Sequence, residues 1–443
     1  MQTGIAVNDT AQMAVSTMNS TPNRCGRRKE KQMNAITKAT SVAVLFALGL
    51  ALGALAAEAP SPVFTRDAIL AAMRKVNDYR LTQEPARKWD ANPKAQGDDW
   101  IGGTYYTGVM ALYRATGDKA VLDQAVAWAE RGKWAPTSIL GGPNSLTCCQ
   151  TYLELYAIQK DDARMAKTRE CVDNQVVAAR KNPQPTRWGY VDSLYVGPPA
   201  IAMVGEITGD KKYYEYLDKV YWGTADALFD KEEGLFYRDG RYIGQKTPQG
   251  KKILWCRGNG WAMGGIPRIV EHLPADWPTR NRYIELLKTM AAAVAKVQQP
   301  NGLWRTNLAD PDHFSSPDSS GTAFFCYAMA WGVREGHLDK QTYLPVIAKA
   351  WRGLLNCIKP DGRLGFAQGV SSGPGKGAGN PDSSAPYSDG LFLLSGEQVL
   401  KLADELARIE VTVEPVKAVS AKRKPPANPA TAPEANPVKK GAN

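Results

Sequence analysis

The chain has 443 residues, 44% hydrophobic and 22% charged, with a formal net charge of +11. That is enough for one large core and ordinary for a soluble globular protein. Residues 1–56 carry +4 of this charge and residues 409–443 carry +3, which leaves +4 for the body; so mild a surplus argues against a nucleic-acid partner and suits an anionic substrate.

Residues 1–57 read as a leader. A basic cluster (Arg24, Arg27, Arg28, Lys29, Lys31) precedes an apolar run from Val42 to Leu52 and a small-residue stop at Ala54-Leu55-Ala56-Ala57. That is the layout of a secretory signal peptide with an A-x-A-like cleavage site. The run is short for a stable membrane span, and Met33 offers an alternative start. A periplasmic or secreted protein without a membrane anchor is expected.

From Phe64 to Leu406 the apolar pattern is helical, with few credible strands. Helix starts are expected near residues 66, 103, 119, 147, 161, 193, 211, 260, 279, 321, 340 and 390. Met110–Lys119 resembles Ala202–Lys211: each reads as a helix end, a Gly turn and an Asp N-cap opening a new helix. Long amphipathic helices such as Lys211–Leu228 alternate with charge-poor ones such as Ser320–Val333. A helix apolar all round belongs inside. The expected fold is therefore all-α, an (α/α)6 barrel of six helical hairpins over residues 58–408. An open helical solenoid is the alternative.

In such a barrel the loops entering the inner helices gather at one mouth. These loops are Asp98-Asp99-Trp100, Pro143-Asn144-Ser145, Trp188–Asp192, Arg257–Trp261, Asp318–Gly321 and Tyr387–Gly390. Residues 409–443 are rich in Pro, Ala and Lys and read as a disordered tail. Cys25 lies in the leader, and the other six cysteines follow no CxxC pattern, so buried free thiols are expected rather than a zinc site.

The sequence holds three histidines, and only His313 lies near a rim loop. No G-x-S-x-G nucleophile elbow, HExxH or P-loop is present; the bare match at Gly369–Gly373 lies in a Gly/Ser/Pro-rich stretch, not on a strand-to-helix turn. Carboxylates remain. Asp192 follows Trp188 and Tyr190 at a helix start; an aspartate walled by aromatics loses solvation and becomes a candidate general acid. The same position suits a helix N-cap. A two-carboxylate glycosidase would need a partner within ~5–10 Å; Asp389, Asp318 and Asp99 are candidates. Within Trp255–Trp261, Arg257 offers a planar fork for a carboxylate, and the indoles offer faces for a sugar ring.

Several segments together resemble glycoside hydrolase family 105, the unsaturated rhamnogalacturonyl and glucuronyl hydrolases, related to family 88. They are Thr151–Tyr156, Tyr190–Tyr195, Trp255–Trp261, Ser319–Ala328 and Asp389–Gly396. The resemblance covers roughly residues 66–405. It implies the six-hairpin barrel and a reaction that needs no metal or cofactor. The implied substrate is a lyase-generated acidic oligosaccharide, rhamnogalacturonan-type by preference, with a 4,5-unsaturated uronic acid at its non-reducing end. One Asp protonates C4 and then helps water add at C5; the hemiketal opens and the sugar leaves. By position the resemblance makes Asp192 the acid/base and Arg257 and Trp261 substrate contacts. Tyr190 falls where some members have Trp, and Asn144 where many have a second, assisting Asp. Some members carry a His upstream of Trp255; here the segment reads Leu235–Arg241, and Arg238 or Arg241 is expected on the uronate instead. Trp100 and Asn259 complete the expected substrate set. Another α/α-barrel carbohydrate enzyme, a two-carboxylate glycosidase or an epimerase, is the enzymatic alternative. A sugar-binding barrel without activity is the other.

Overall fold

The computed structural model describes residues 62–83, 99–181, 187–370 and 377–416. The expected leader and residues 417–443 lie outside the described residues. Among the described residues, twelve helices of eleven or more residues make up the barrel. They are α1 (Arg66–Gln83), α2 (Asp99–Thr116), α3 (Lys119–Arg131), α4 (Thr147–Ile158), α5 (Ala166–Lys181), α6 (Pro198–Thr208), α7 (Lys211–Leu228), α8 (Cys256–Val270), α9 (Arg280–Ala295), α10 (Ser319–Arg334), α11 (Lys340–Leu355) and α12 (Pro386–Lys401).

Local chemistry sets most of the helix starts. Asp118 accepts from Ala120 N and Asp210 from Lys212 N, each capping the helix after a Gly turn. Gly117 and Gly209 sit at φ +67° and +69°, where a side chain would be strained. Five starts differ from expectation, two of them, α2 at Asp99 and α12 at Pro386, only by coming four residues early. Asp161 caps a short 3-10 turn, Asp162–Arg164, so α5 begins at Ala166. The helix expected from residue 193 is split: a turn, Ser193–Val196, precedes α6, which opens on Pro198-Pro199. The Arg257–Trp261 segment is not a loop but the first turn of α8, which begins at Cys256. Its glycines give the reason. A Cβ on Gly265 would lie 2.3 Å from Leu194 O, and one on Gly258 would lie 3.0 Å from Val191 Cγ1 and 2.8 Å from the Trp255 ring. Glycine here lets α8 pack directly on the segment that carries Asp192.

Burial separates the two layers. Every residue of α8 is buried, as is α10 from Ser319 to Val333, whereas α1, α3, α5, α7, α9 and α11 each bury one face. The inner helices pack in the ring α2, α4, α6, α8, α10, α12, and α12 packs back on α2. That contact closes the barrel and removes the open-solenoid alternative. Helix α1 is the outer partner of α12. Arg80 Nε donates to Asp389 Oδ2 at 2.6 Å, and both side chains are buried. Asp389 is therefore a closure residue, not a second catalytic carboxylate. Arg80→Met strands that carboxylate in the core and should lower stability by about 3 kcal/mol in urea unfolding; a loss under about 1 kcal/mol would show that closure does not depend on the pair.

A second ion-pair network stands at the far end of the barrel, around a cavity of about 410 Å³. Arg268 donates to Gln150 and Glu154, and Arg114 forks onto Glu397 at 3.0 and 2.8 Å. Burial alone would raise the Glu397 carboxyl, but Arg114 holds it down at about 2. The six cysteines among the described residues are buried. The packed chain also runs past the expected boundary at residue 408. Ile409, Val411 and Val416 pack against the core, and Glu414 N donates to Pro300 O at 3.2 Å. The reason lies in the alternating apolar pattern of Ile409, Val411 and Val413. No helix among the described residues is long and apolar enough to cross a membrane.

Candidate active site

The mouth of the barrel holds a cavity of about 330 Å³, within the range of small-ligand sites. Four of the six rim segments reach it: Trp100 from α2, Asn144 from the turn before α4, Tyr190 and Asp192 before α6, and Arg257 and Trp261 from α8; Trp255, just before α8, and Val370, before α12, line it too. Arg238 joins them from an extended segment. A short hairpin, β1 (Phe229–Asp230) with β2 (Leu235–Phe236), leads into it. Val191 N then donates to Arg238 O at 2.9 Å, and Tyr190 bridges to Asp239. That pairing carries Arg238 to the side of Asp192.

Asp192 occupies the N-cap position of the Ser193–Val196 turn but makes no side-chain cap bond. The capping alternative therefore does not hold. The residue is half-buried, and its Oδ1 is out of water without a hydrogen-bond partner. Burial pushes its carboxyl up to about 6, while Arg238 and Arg257 pull it down and Asp239 pushes it up. A carboxyl poised there can give a proton near neutral pH and, once ionised, take one.

The remaining expected residues divide. Tyr190 Oη donates to Asn144 Oδ1 at 2.8 Å, and burial raises the Tyr190 hydroxyl's pKa, so it stays a donor. Trp100 meets Trp261 edge-on at 5.9 Å, and Tyr387 lies behind both, forming an aromatic wall. Arg257 lines the cavity with both terminal nitrogens engaged, while its buried Nε has no partner. Nη1 donates to Gln368 O at 2.6 Å and Tyr387 Oη at 3.0 Å, and Nη2 donates to Gly369 O at 3.2 Å. Trp255 Nε1 also donates to the Gln368 side chain, at 2.7 Å. Arg257 and Trp255 thus pin the backbone of residues 368–369 at the cavity. Arg238 is the less committed cation: only Nη1 is engaged, on Asp239, whereas both terminal nitrogens of Arg257 are held.

Two expected contacts are corrected. Arg241 is mostly exposed, bonds Asp239 and does not line the cavity. Asn259 is fully buried, with its amide bonded to the backbone of Phe236 and Trp255, because α8 begins before it and turns it away from the mouth. Asp318 is turned inward to cap α10 through Ser320 N, and His313 stacks on Phe314 away from the cavity. The side chain of Asp99 lies outside the described residues. Sequence reasoning missed Gln368, whose role rests on bonds to α8, and the lining residues Val196 and Val370; none stands in a motif.

The sequence model of Glycosyl Hydrolase Family 88 matches residues 72–403. The unsaturated 3S-rhamnoglycuronyl hydrolase of Formosa agariphila is 31% identical over 323 residues, 69% of this chain and 85% of that protein. The enzyme of the same name from Alteromonas sp. (strain LOR) is 33% identical over 325 residues, 68% of this chain and 77% of that protein. A solved family 88 glycosyl hydrolase from Bacteroides vulgatus superposes with a TM-score of 0.69 at 30% identity, covering 76% of this chain and 99% of that one.

Proposed function

This chain belongs to glycosyl hydrolase family 88, and from that premise we propose that it removes a 4,5-unsaturated uronic acid from the non-reducing end of lyase-generated oligosaccharides. The observation that carries this reading is a single desolvated carboxyl, Asp192, in an aromatic-walled cavity with an unspent cationic edge beside it. In the proposed reaction the Asp192 proton goes to C4 of the enol ether, and positive charge develops at C5 and the ring oxygen. Water then attacks C5 and returns a proton to Asp192. The hemiketal opens, the ring oxygen becomes the C1 hydroxyl, and the C1 hemiacetal expels the shortened sugar. Arg238 takes the uronate carboxylate, and Trp100 and Trp261 bound the ring. Asn144, held by Tyr190, orients hydroxyls or water but cannot take a proton.

The names of the two relatives favour a rhamnose next to the uronate. The first test is a panel of unsaturated oligosaccharides from rhamnose-containing, pectic and glycosaminoglycan sources, followed by ultraviolet absorbance of the conjugated double bond. Absorbance should fall fastest on the rhamnose-containing members; no fall on any member would sink the proposal. Activity should also decline as pH rises through about 6, where Asp192 loses the proton it must donate. A profile flat from pH 5 to 8 would assign the acid elsewhere. Export is part of the same proposal. It rests on the leader at residues 1–57 and is tested by cell fractionation, with purely cytosolic full-length protein as the contrary result.

A further inference from the structure

Asn259 stands in the most recognisable segment of the chain, yet it does not reach the cavity. Its three bonds go to backbone: Oδ1 accepts from Phe236 N at 2.7 Å, and Nδ2 donates to Phe236 O and to Trp255 O, both at 3.0 Å. The pair of bonds to Phe236 has the form of a β-ladder contact, with a side-chain amide standing where a neighbouring strand's peptide would be. Tyr237 N uses the opposite edge of the segment, donating to Leu228 O at 3.0 Å. Alternation then turns the polar groups of Phe236 and Arg238 to the same edge. At Arg238 that edge is filled by Val191, the residue before Asp192, through the bond from Val191 N to Arg238 O. Asn259 and residues 190–191 therefore form two successive rungs against one extended segment.

We infer that Asn259 is a positioning residue: its amide fixes the register of the segment that delivers Arg238 to the cavity, and so it sets the grip on the uronate without touching it. The physical cause is the cost of unpaired backbone groups. Phe236 is fully buried, so its N–H and C=O must find partners, and Asn259 supplies both. A slip of one residue would turn Arg238 to the other face of the segment. The inference rests on the assignment of the uronate carboxylate to Arg238.

The test is a double-mutant cycle on an unsaturated disaccharide, with Asn259→Ser, Arg238→Ala and the pair. Asn259→Ser should raise KM about 10-fold with kcat changed less than about 3-fold; in the Arg238→Ala background the same change should raise KM by less than about 2-fold. The alkaline limb of kcat/KM should move to higher pH in both single variants, because Arg238 is the cation with the larger hold on the Asp192 carboxyl. If Asn259→Ser does not fold, the isosteric Asn259→Asp is put through the same cycle. Equal KM factors in both backgrounds, or an unmoved pH limb, would overturn the positioning role while leaving Arg238 in place. An unchanged KM in Arg238→Ala alone would instead remove the assignment beneath it.

Discussion

Asp192→Asn should lower kcat by about 10³–10⁴-fold and raise the unfolding temperature at neutral pH. The activity loss follows from the chemistry. An amide neither delivers a proton to C4 nor recovers one from water, and no other carboxylate among the described residues lines the cavity. The stability gain follows from linkage. In the folded chain the Asp192 carboxyl is pushed up to about 6 from an ordinary 3.8. The cost of ionising it is absent below the ordinary value, grows as pH rises, and is complete above about 6. Removing the charge should therefore stabilise the fold at pH 7–8, by about 1–2 kcal/mol once the partial exposure of the residue is allowed for. The two effects together separate a catalytic role from a structural one. A variant that keeps its activity would move the acid elsewhere. A variant that loses stability would return Asp192 to the status of a helix cap.

Arg238→Ala should lower kcat/KM on unsaturated uronyl substrates by about 10²–10³-fold, chiefly through KM. The guanidinium lines the cavity with Asp192 and spends only Nη1, on Asp239, so its other terminal nitrogen can meet a carboxylate without breaking a bond already made. A substrate whose uronate is esterified should show much less of this loss. Arg257 provides the contrast. Its donors hold Gln368 O and Gly369 O, so Arg257→Ala should weaken acidic and neutral analogues alike by loosening that backbone. If Arg257→Ala discriminated against acidic substrates and Arg238→Ala did not, the two roles would have to be exchanged.

What could be read in the sequence was what local rules decide. Asp118 and Asp210 announce their helices because an Asp after a Gly turn caps the next turn by its own side chain. The inner helices announce themselves by lacking a charged face. Most residues that converge on the cavity were legible as rim residues because they stand just before or within the first turns of inner helices; Arg238, on an extended segment, was not. Roles that depend on distant partners were not. Asn259 bonds a residue 23 positions away, Arg257 one 111 positions away, and Arg80 one 309 positions away. Without those partners Arg257 and Asn259 read as a free fork and a free amide, and Asp389 as a candidate acid. Asp192 was open between cap and acid because only the direction of its side chain decides. The turn places the backbone where a cap would be, while Oδ1 is left without a donor.

The central claim is that the bond attacked is the ring double bond and not the glycosidic linkage. It is tested most directly by measuring, in one reaction, the ultraviolet absorbance lost and the reducing sugar released from a single unsaturated disaccharide. The account predicts loss of the double bond in step with sugar release, one for one. Sugar release with the absorbance retained would mean ordinary glycosidic hydrolysis and would contradict the role assigned to Asp192.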